Sequence, residues 1–269
     1  MDILTVYEQY LDNKQKERTR NLNQDYSHYW SASSAGHCYK KQLFGIYKCA
    51  KSDMDFKSKS LLRLGTIVHS DVESALREQA SHPATQEGEI SFIEYEVVDD
   101  YHRVIGHLDY AYIDREERTL TIYDLKTAAA YKWSKKFGRK PDENPSFKYE
   151  MQIATYAMAL IEEWKPFLME FSPPDEEVKD RVQMFLMWYN KNTSQMRHEL
   201  ISSDWYQSVS DYWMRLHDIL FDMDELPENL NSWNGAFMTI NKMIRGRAEE
   251  GSPFESWECK YCPYETICR

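Results

Sequence analysis

The chain has 269 residues, 42% of them hydrophobic and 14% aromatic. That is enough apolar material to bury a sizeable core, and it excludes an intrinsically disordered protein. A formal net charge of −11 excludes a protein that coats nucleic acid over its whole surface, but it leaves room for a local basic groove and for carboxylates gathered round cations. No apolar run approaches the ~20 residues of a membrane helix, and the N-terminus lacks the basic–apolar–small pattern of a secretion signal. Five cysteines, an odd number, make no disulfide scaffold in a chain of this length. The expectation is a cytoplasmic protein that engages no membrane.

Residues 1–20 read as a polar helix with basic residues gathered from Lys14 to Arg20. SASSAGHCYKKQLFGIYK (31–48) reads as a loop feeding a short helix, with Ser33 or Ser34 available as its N-cap. From Leu61 to about Gln79, apolar residues recur at Leu64, Val68, Val72 and Leu76, which is helical spacing. The period then changes. ISFIEYEVV (90–98), HRVIGHLDYAYID (102–114) and RTLTIYDLKT (118–127) form a strand meander rich in β-branched and aromatic residues. A helix follows over Phe147–Trp164, entered through an Asn144-Pro145 start signal. RVQMFLMWYN (181–190) reads as a strand buried on both faces, and residues 204–223 as a strongly amphipathic helix. After it comes an irregular stretch with Gly, Pro and Asn, and then the cysteine tail. This order implies an α/β (α+β) fold, a mixed sheet flanked by helices. The parts are an N-terminal helical segment (1–60), a core (61–200) and a C-terminal helix with its tail (201–269), within one compact domain.

Chemistry concentrates in GHLDY and YDLKT. Asp124 and Lys126 are two apart on a strand and share a face. Asp109 lies on the preceding strand, where hairpin-like pairing brings it beside Asp124. Both carboxylates sit in apolar runs, where an unpaired charge is costly. A divalent cation offsets that cost, and oxygen ligands suit Mg²⁺ or Mn²⁺. Such a cation activates water, while a nearby ammonium supports charge on phosphoryl oxygens. An ordinary strand-end ion pair between Asp124 and Lys126 is the plain alternative. His69, on the helix ahead of the strands, offers a third ligand or a structural imidazole. Gln152 and Tyr156 share one helix face at i,i+4 spacing.

Cys259, Cys262 and Cys268 form C-x-x-C-x5-C, three ligands for one metal centre. Cys38 and Cys49 both remain open as the fourth. Directly after the lysine strand, AAAYKWSKKFGRK interleaves Lys132, Lys135, Lys136, Arg139 and Lys140 with Tyr131, Trp133 and Phe137. It reads either as a solvated loop or as a segment that contacts phosphates and stacks on bases. Arg245 and Arg247 are a weaker second basic candidate.

Taken in order, Gly65-x-x-x-His69, Gly106-His-Leu-Asp109, Asp124-Leu-Lys126 and Gln152-x-x-x-Tyr156 resemble the RecB-type branch of the PD-(D/E)xK nucleases. The resemblance covers about Ser31 to Cys268. It implies a restriction-endonuclease-like fold in which His69, Asp109 and Asp124 bind metal, Lys126 is catalytic, and Gln152 and Tyr156 complete the site. A Cys one helix before the histidine, with the terminal cysteines, resembles the iron–sulfur subset, which includes CRISPR-associated RecB-like exonucleases and AddB-type nuclease domains. There Cys38, Cys259, Cys262 and Cys268 would hold a [4Fe–4S] cluster joining the two ends of the chain, with zinc as the alternative metal. The implied function is exonucleolytic hydrolysis of DNA, preferably single-stranded. The implied settings are spacer trimming with a CRISPR integrase, or end processing in phage or host recombination and replication. No G-x-x-x-x-G-K-[ST] element occurs, so a helicase partner would be a separate protein. A catalytically idle DNA-end-binding scaffold and a zinc-stabilised adaptor are the rival readings.

Overall fold

The computed structural model describes residues 3–20, 29–46, 49, 51–142, 146–173, 176–224 and 256–268. Its elements are α1 (Ile3–Arg20), β1 (Trp30–Ser31), α2 (Tyr39–Ile46), α3 (Phe56–Ala80), α4 (Pro83–Gly88), β2 (Glu89–Asp99), β3 (Val104–Asp114), β4 (Thr119–Ala128), α5 (Ala130–Phe137), α6 (Phe147–Leu168), β5 (Val182–Asn190), β6 (Met196–Ile201), α7 (Trp205–Asp224) and α8 (Glu265–Cys268). The Asn144-Pro145 signal, Arg245, Arg247 and most of the stretch after α7 lie outside the described residues.

The strands form one mixed sheet. β3 pairs antiparallel with β2 along its length, and its other edge is shared. β1 takes Val104 and Ile105 in parallel, and β4 takes Tyr110–Asp114 antiparallel. β4 then runs parallel to β5 from Leu120 to Ala128, and β6 closes the edge antiparallel. The β3–β4 pairing ends at Tyr110↔Tyr123. Beyond it the two strands fork, and the carboxylates of the next residues, Asp109 and Asp124, stand in the opening. A fork leaves strand N–H groups without ladder partners, and each needs an acceptor.

A phase shift occurs at the same level. Leu108 and Ala111 are both buried on β3, as are Phe92 and Val97 on β2, although odd spacing puts such pairs on opposite faces of a regular strand. The shift falls at Glu94 and Asp109. Glu94 has φ 49°, and the ladder skips the Glu94–Asp109 step while Ile93↔Tyr110 and Tyr95↔Leu108 flank it in unchanged register. Such a backbone costs a non-glycine residue about 1–3 kcal/mol.

α6 covers one face of the sheet and buries Met151, Ile153, Ala154, Ala157 and Leu160; α7 packs on α6. α3 crosses the other face. It begins at Phe56, earlier than the apolar spacing alone indicates, because Asp55 caps it by accepting the Ser58 N–H at 2.6 Å. Its stripe is only half buried at Val68, Val72 and Leu76, with Leu64 exposed, because it borders an open cleft. α3 approaches β4 closely at Gly65, where a Cβ would meet Thr127 Oγ1 at 3.1 Å.

Three local readings change. Ser33 and Ser34 do not cap α2. They lie in a 3₁₀ turn (Ala32–Ser34), where Ser34 Oγ donates to Gln42 Oε1 at 2.8 Å. The loop expected after the lysine strand is helix α5, and α4 and β6 had no counterpart in the sequence reading. β6 is an edge strand of mostly exposed polar residues, so it lacks the apolar alternation that reveals strands.

Candidate active site

Asp109 bridges the fork. Its Oδ2 accepts the Leu125 N–H at 2.6 Å, and its Oδ1 lies 3.1 Å from His69 Nδ1. The first contact satisfies a strand N–H left over by the split. The second ties α3 to the sheet one helical turn beyond Gly65. That hydrogen bond raises the His69 pKa, against the effect of burial.

Asp124 points the other way, towards α6, and is 2% exposed. Gln152 Nε2 donates to its Oδ1 at 3.3 Å. Its Oδ2 is 2.6 Å from Lys126 Nζ, an ion pair inside the protein. Burial pushes the carboxyl up to about 6, with Lys126 opposing and Asp109 adding to the shift. Lys126 Nζ donates to Gln152 Oε1 at 2.8 Å, and Gln152 Nε2 donates to Tyr156 Oη at 2.9 Å. Burial, with Asp124 nearby, holds the Tyr156 phenol well above its usual range. The polar side chains of α6 therefore orient the ammonium beside the carboxylate. Gly106 makes room for this arrangement, because a Cβ there would stand 2.8 Å from both Ala32 Cβ and Tyr156 Cε1.

The donor set nearest to a cation site is His69, Glu94 and Asp109, whose ligand atoms all lie within 4.8 Å of one another. Asp124 lies outside this trio. Glu94 was absent from the sequence reading, because nothing in ISFIEYEVV distinguishes Glu94 from Glu96. Its signal is its register position opposite Asp109. Burial raises its pKa, as do the charges of Asp109 and Glu73. Imidazole and carboxylate oxygens suit Mg²⁺ or Mn²⁺, and this trio supplies both.

The sequence profile of the PD-(D/E)XK nuclease superfamily matches residues 8–269. The chain belongs to this superfamily. Among curated protein sequences none matches it. Among solved structures, the nuclease-superfamily fold seen here is similar to that of SSO0001, with a TM-score of 0.51 at 15% identity over 98% of this chain and 96% of that one. A protein from Eubacterium rectale, named only provisionally as an exonuclease, aligns with a TM-score of 0.42 at 13% identity over 74% of this chain and 86% of its own. At that level the likeness says nothing of activity.

The basic segment beside this nuclease-type site is now explicit. Lys132 hydrogen-bonds Tyr149 and lies 4.2 Å from the centre of its ring, while Lys126 lies 4.9 Å from the same centre. α5 therefore adjoins Lys126. Trp133 is buried in the core, which leaves Tyr131, 75% exposed, as the ring facing solvent. Lys135 pairs with Asp142 at 2.9 Å and Lys136 with Glu199 at 2.6 Å. Arg139 and Lys140 are exposed, with no ion pair among the described residues.

The cysteine tail docks on the N-terminal segment and α6. Tyr264 packs on Phe44 with ring centres 5.4 Å apart, Pro263 O accepts the Ser52 N–H at 2.8 Å, and Lys148 pairs with Glu258. Cys38, Cys259, Cys262 and Cys268 come within electrostatic reach of one another, and burial, with these neighbouring thiols, raises the pKa of Cys262 and Cys268. Burial also raises that of Cys49, without those thiols among the causes. No helix of the described residues is long and apolar enough to cross a membrane.

Proposed function

We propose that the protein is a metal-dependent DNA exonuclease that acts on single-stranded ends and carries a structural [4Fe–4S] cluster. The observation that carries the reading is the Asp109, Asp124 and Lys126 arrangement at the strand fork, with Lys126 held by Gln152 and Gln152 by Tyr156. When bound, a divalent cation supplies a water of lowered pKa and a Lewis acid for the phosphoryl group. His69, Asp109 and Asp124 would hold it. Lys126, fixed by Gln152, presents its ammonium to the charge that builds on the phosphoryl oxygens. Tyr156 keeps the Gln152 amide turned so that its oxygen faces the lysine.

A cleft of about 270 Å³ runs beside His69 and Asp109 between α3 and the sheet, floored by Tyr110, Tyr112 and Tyr123. Such rings offer π-faces to unpaired bases, which supports the preference for single strands. Lys132, Lys135, Lys136, Arg139 and Lys140 of the α5 region, with Tyr131 and Trp133, remain the candidate DNA contacts, and exposure favours Arg139, Lys140 and Tyr131 among them. The four cysteines suit an iron–sulfur cluster by their thiolate chemistry, and Lys41 beside Cys38 and Cys262 favours an anionic group there. A CRISPR integrase or a recombination helicase remains the partner that the family resemblance implies.

The test uses anaerobically purified protein with Mn²⁺ and end-labelled DNA. Linear single strands should be digested, circular single strands spared, and Lys126→Ala should digest at least about 10²-fold more slowly. Equal digestion by wild type and Lys126→Ala would remove the nuclease reading, and cleavage of circles as fast as linear strands would remove the exonuclease part.

A further inference from the structure

Three carboxylates line the cleft beside the strand fork, Glu73, Glu94 and Asp109, and a fourth, Asp124, stands on the far side of the fork; three of the four have partners. Glu73 pairs with Arg77 at 2.7 Å. Asp109 holds His69 and the Leu125 N–H. Asp124 contacts Lys126 and Gln152. Glu94 forms no hydrogen bond or ion pair among the described residues, yet its carboxylate comes within 4.8 Å of the ligand atoms of His69 and Asp109.

This placement is built by the backbone. Glu94 stands opposite Asp109 in the β2–β3 register, and like charges directly opposed across a ladder repel. The positive φ at Glu94 and the shared phase shift of both strands break the ladder at that step and bring the two side chains to the same side as His69. A strained backbone that presents one carboxylate to another makes physical sense when something cationic lies between them. Lys126 and Arg77 do not fill that role, since Lys126 is engaged by Asp124 and Gln152 and Arg77 by Glu73; of the imidazoles whose charge reaches Glu94, His69 is held by Asp109 and His107 by Glu96.

We propose that Glu94 is a direct ligand of the divalent cation, completing with His69 and Asp109 a site that draws on β2 as well as on α3 and β3. A hard, oxygen-preferring ion such as Mn²⁺ or Mg²⁺ is the matching class, because two carboxylates and one imidazole give it charge and oxygen donors together. The inference rests on the nuclease reading above, and it adds a ligand from outside the ordered motif series. Asp124, whose Oδ1 accepts from Gln152 and whose Oδ2 meets Lys126, then faces the cation from the opposite side of the fork.

Mn²⁺ binding to the purified full chain, followed by electron paramagnetic resonance without DNA, tests this for wild type, Asp109→Asn, Glu94→Gln and Glu94→Gly. Both Glu94 variants should weaken the Mn²⁺ Kd at least about tenfold, the lower end of what losing support at a metal site costs. Glu94→Gly should at the same time raise the melting temperature of the metal-free protein, because glycine accepts φ 49° without strain. A residue with a purely structural role would lower it. If both variants bind Mn²⁺ as the wild type does while Asp109→Asn does not, Glu94 is no ligand and the nuclease reading stands. A lowered turnover at unchanged Kd overturns the proposal equally. If the wild type itself shows no specific Mn²⁺ site, both readings fall together.

Discussion

Lys126→Ala separates the stability of the site from its chemistry. Asp124 is 2% exposed, and with Lys126 beside it burial already raises its carboxyl from 3.8 to about 6. A group whose folded-state pKa is raised contributes stability that is complete below its unfolded value and is lost as pH climbs through the folded one. Removing Lys126 takes away the attraction that opposes the shift, so the folded pKa rises further. At pH 6 this charge effect is close to nil, because both proteins can keep the proton. Above pH 6 the wild type has already ionised, while the variant loses about 1.4 kcal/mol for each pH unit until its own pKa is reached. By pH 8 the difference is about 2–3 kcal/mol, roughly 5–10 °C in melting temperature for a chain of this size. Loss of the lysine stem and its contact with Tyr149 adds a part that is the same at both pH values. Urea unfolding of both proteins in EDTA at pH 6 and pH 8 measures the difference directly. With saturating Mn²⁺, nuclease activity of the variant should fall by about 10²–10³-fold, the usual cost of losing one charge-stabilising donor. An equal destabilisation at the two pH values would refute the reasoning, since it would mean that Asp124 does not bear the charge assigned to it.

Two further outcomes follow from the packing. Gly106→Ala places a methyl group 2.8 Å from Ala32 Cβ and Tyr156 Cε1, so melting should show a loss of about 1–3 kcal/mol, partly restored in the Gly106→Ala/Ala32→Gly pair; an unchanged melting temperature would contradict the close approach. Cys38→Ser should abolish the broad visible absorbance of anaerobically purified protein while Cys49→Ser keeps it. The reverse result would exchange their roles, and a colourless wild type with stoichiometric zinc would exclude the iron–sulfur cluster.

Local signals carried the motif series. Enrichment in β-branched and aromatic residues located β2, β3 and β4, and i,i+4 spacing put Gln152 and Tyr156 on one face of α6, where the structure joins them to each other and to Lys126. Those patterns depend on residues a few positions apart, and the backbone period makes them readable. The basic segment after β4 was legible in composition but not in conformation. Its Trp133 reads as a stacking ring in the sequence, yet the helix turns it into the core, which is a matter of what packs beside it.

By itself the sequence determined that a sheet would bring acidic residues and a lysine together, that a helix would set a histidine ahead of them, and that Cys259, Cys262 and Cys268 would lie near one another along the chain. Tertiary structure decided which carboxylates converge. Asp109 and Asp124 flank a fork and face opposite ways, and Glu94 reaches His69 because register sets it across from Asp109 and a positive φ breaks the ladder there. Strand pairing is a contact between distant segments. A glutamate in the middle of a strand carries no mark of its partner until the second strand is laid beside it.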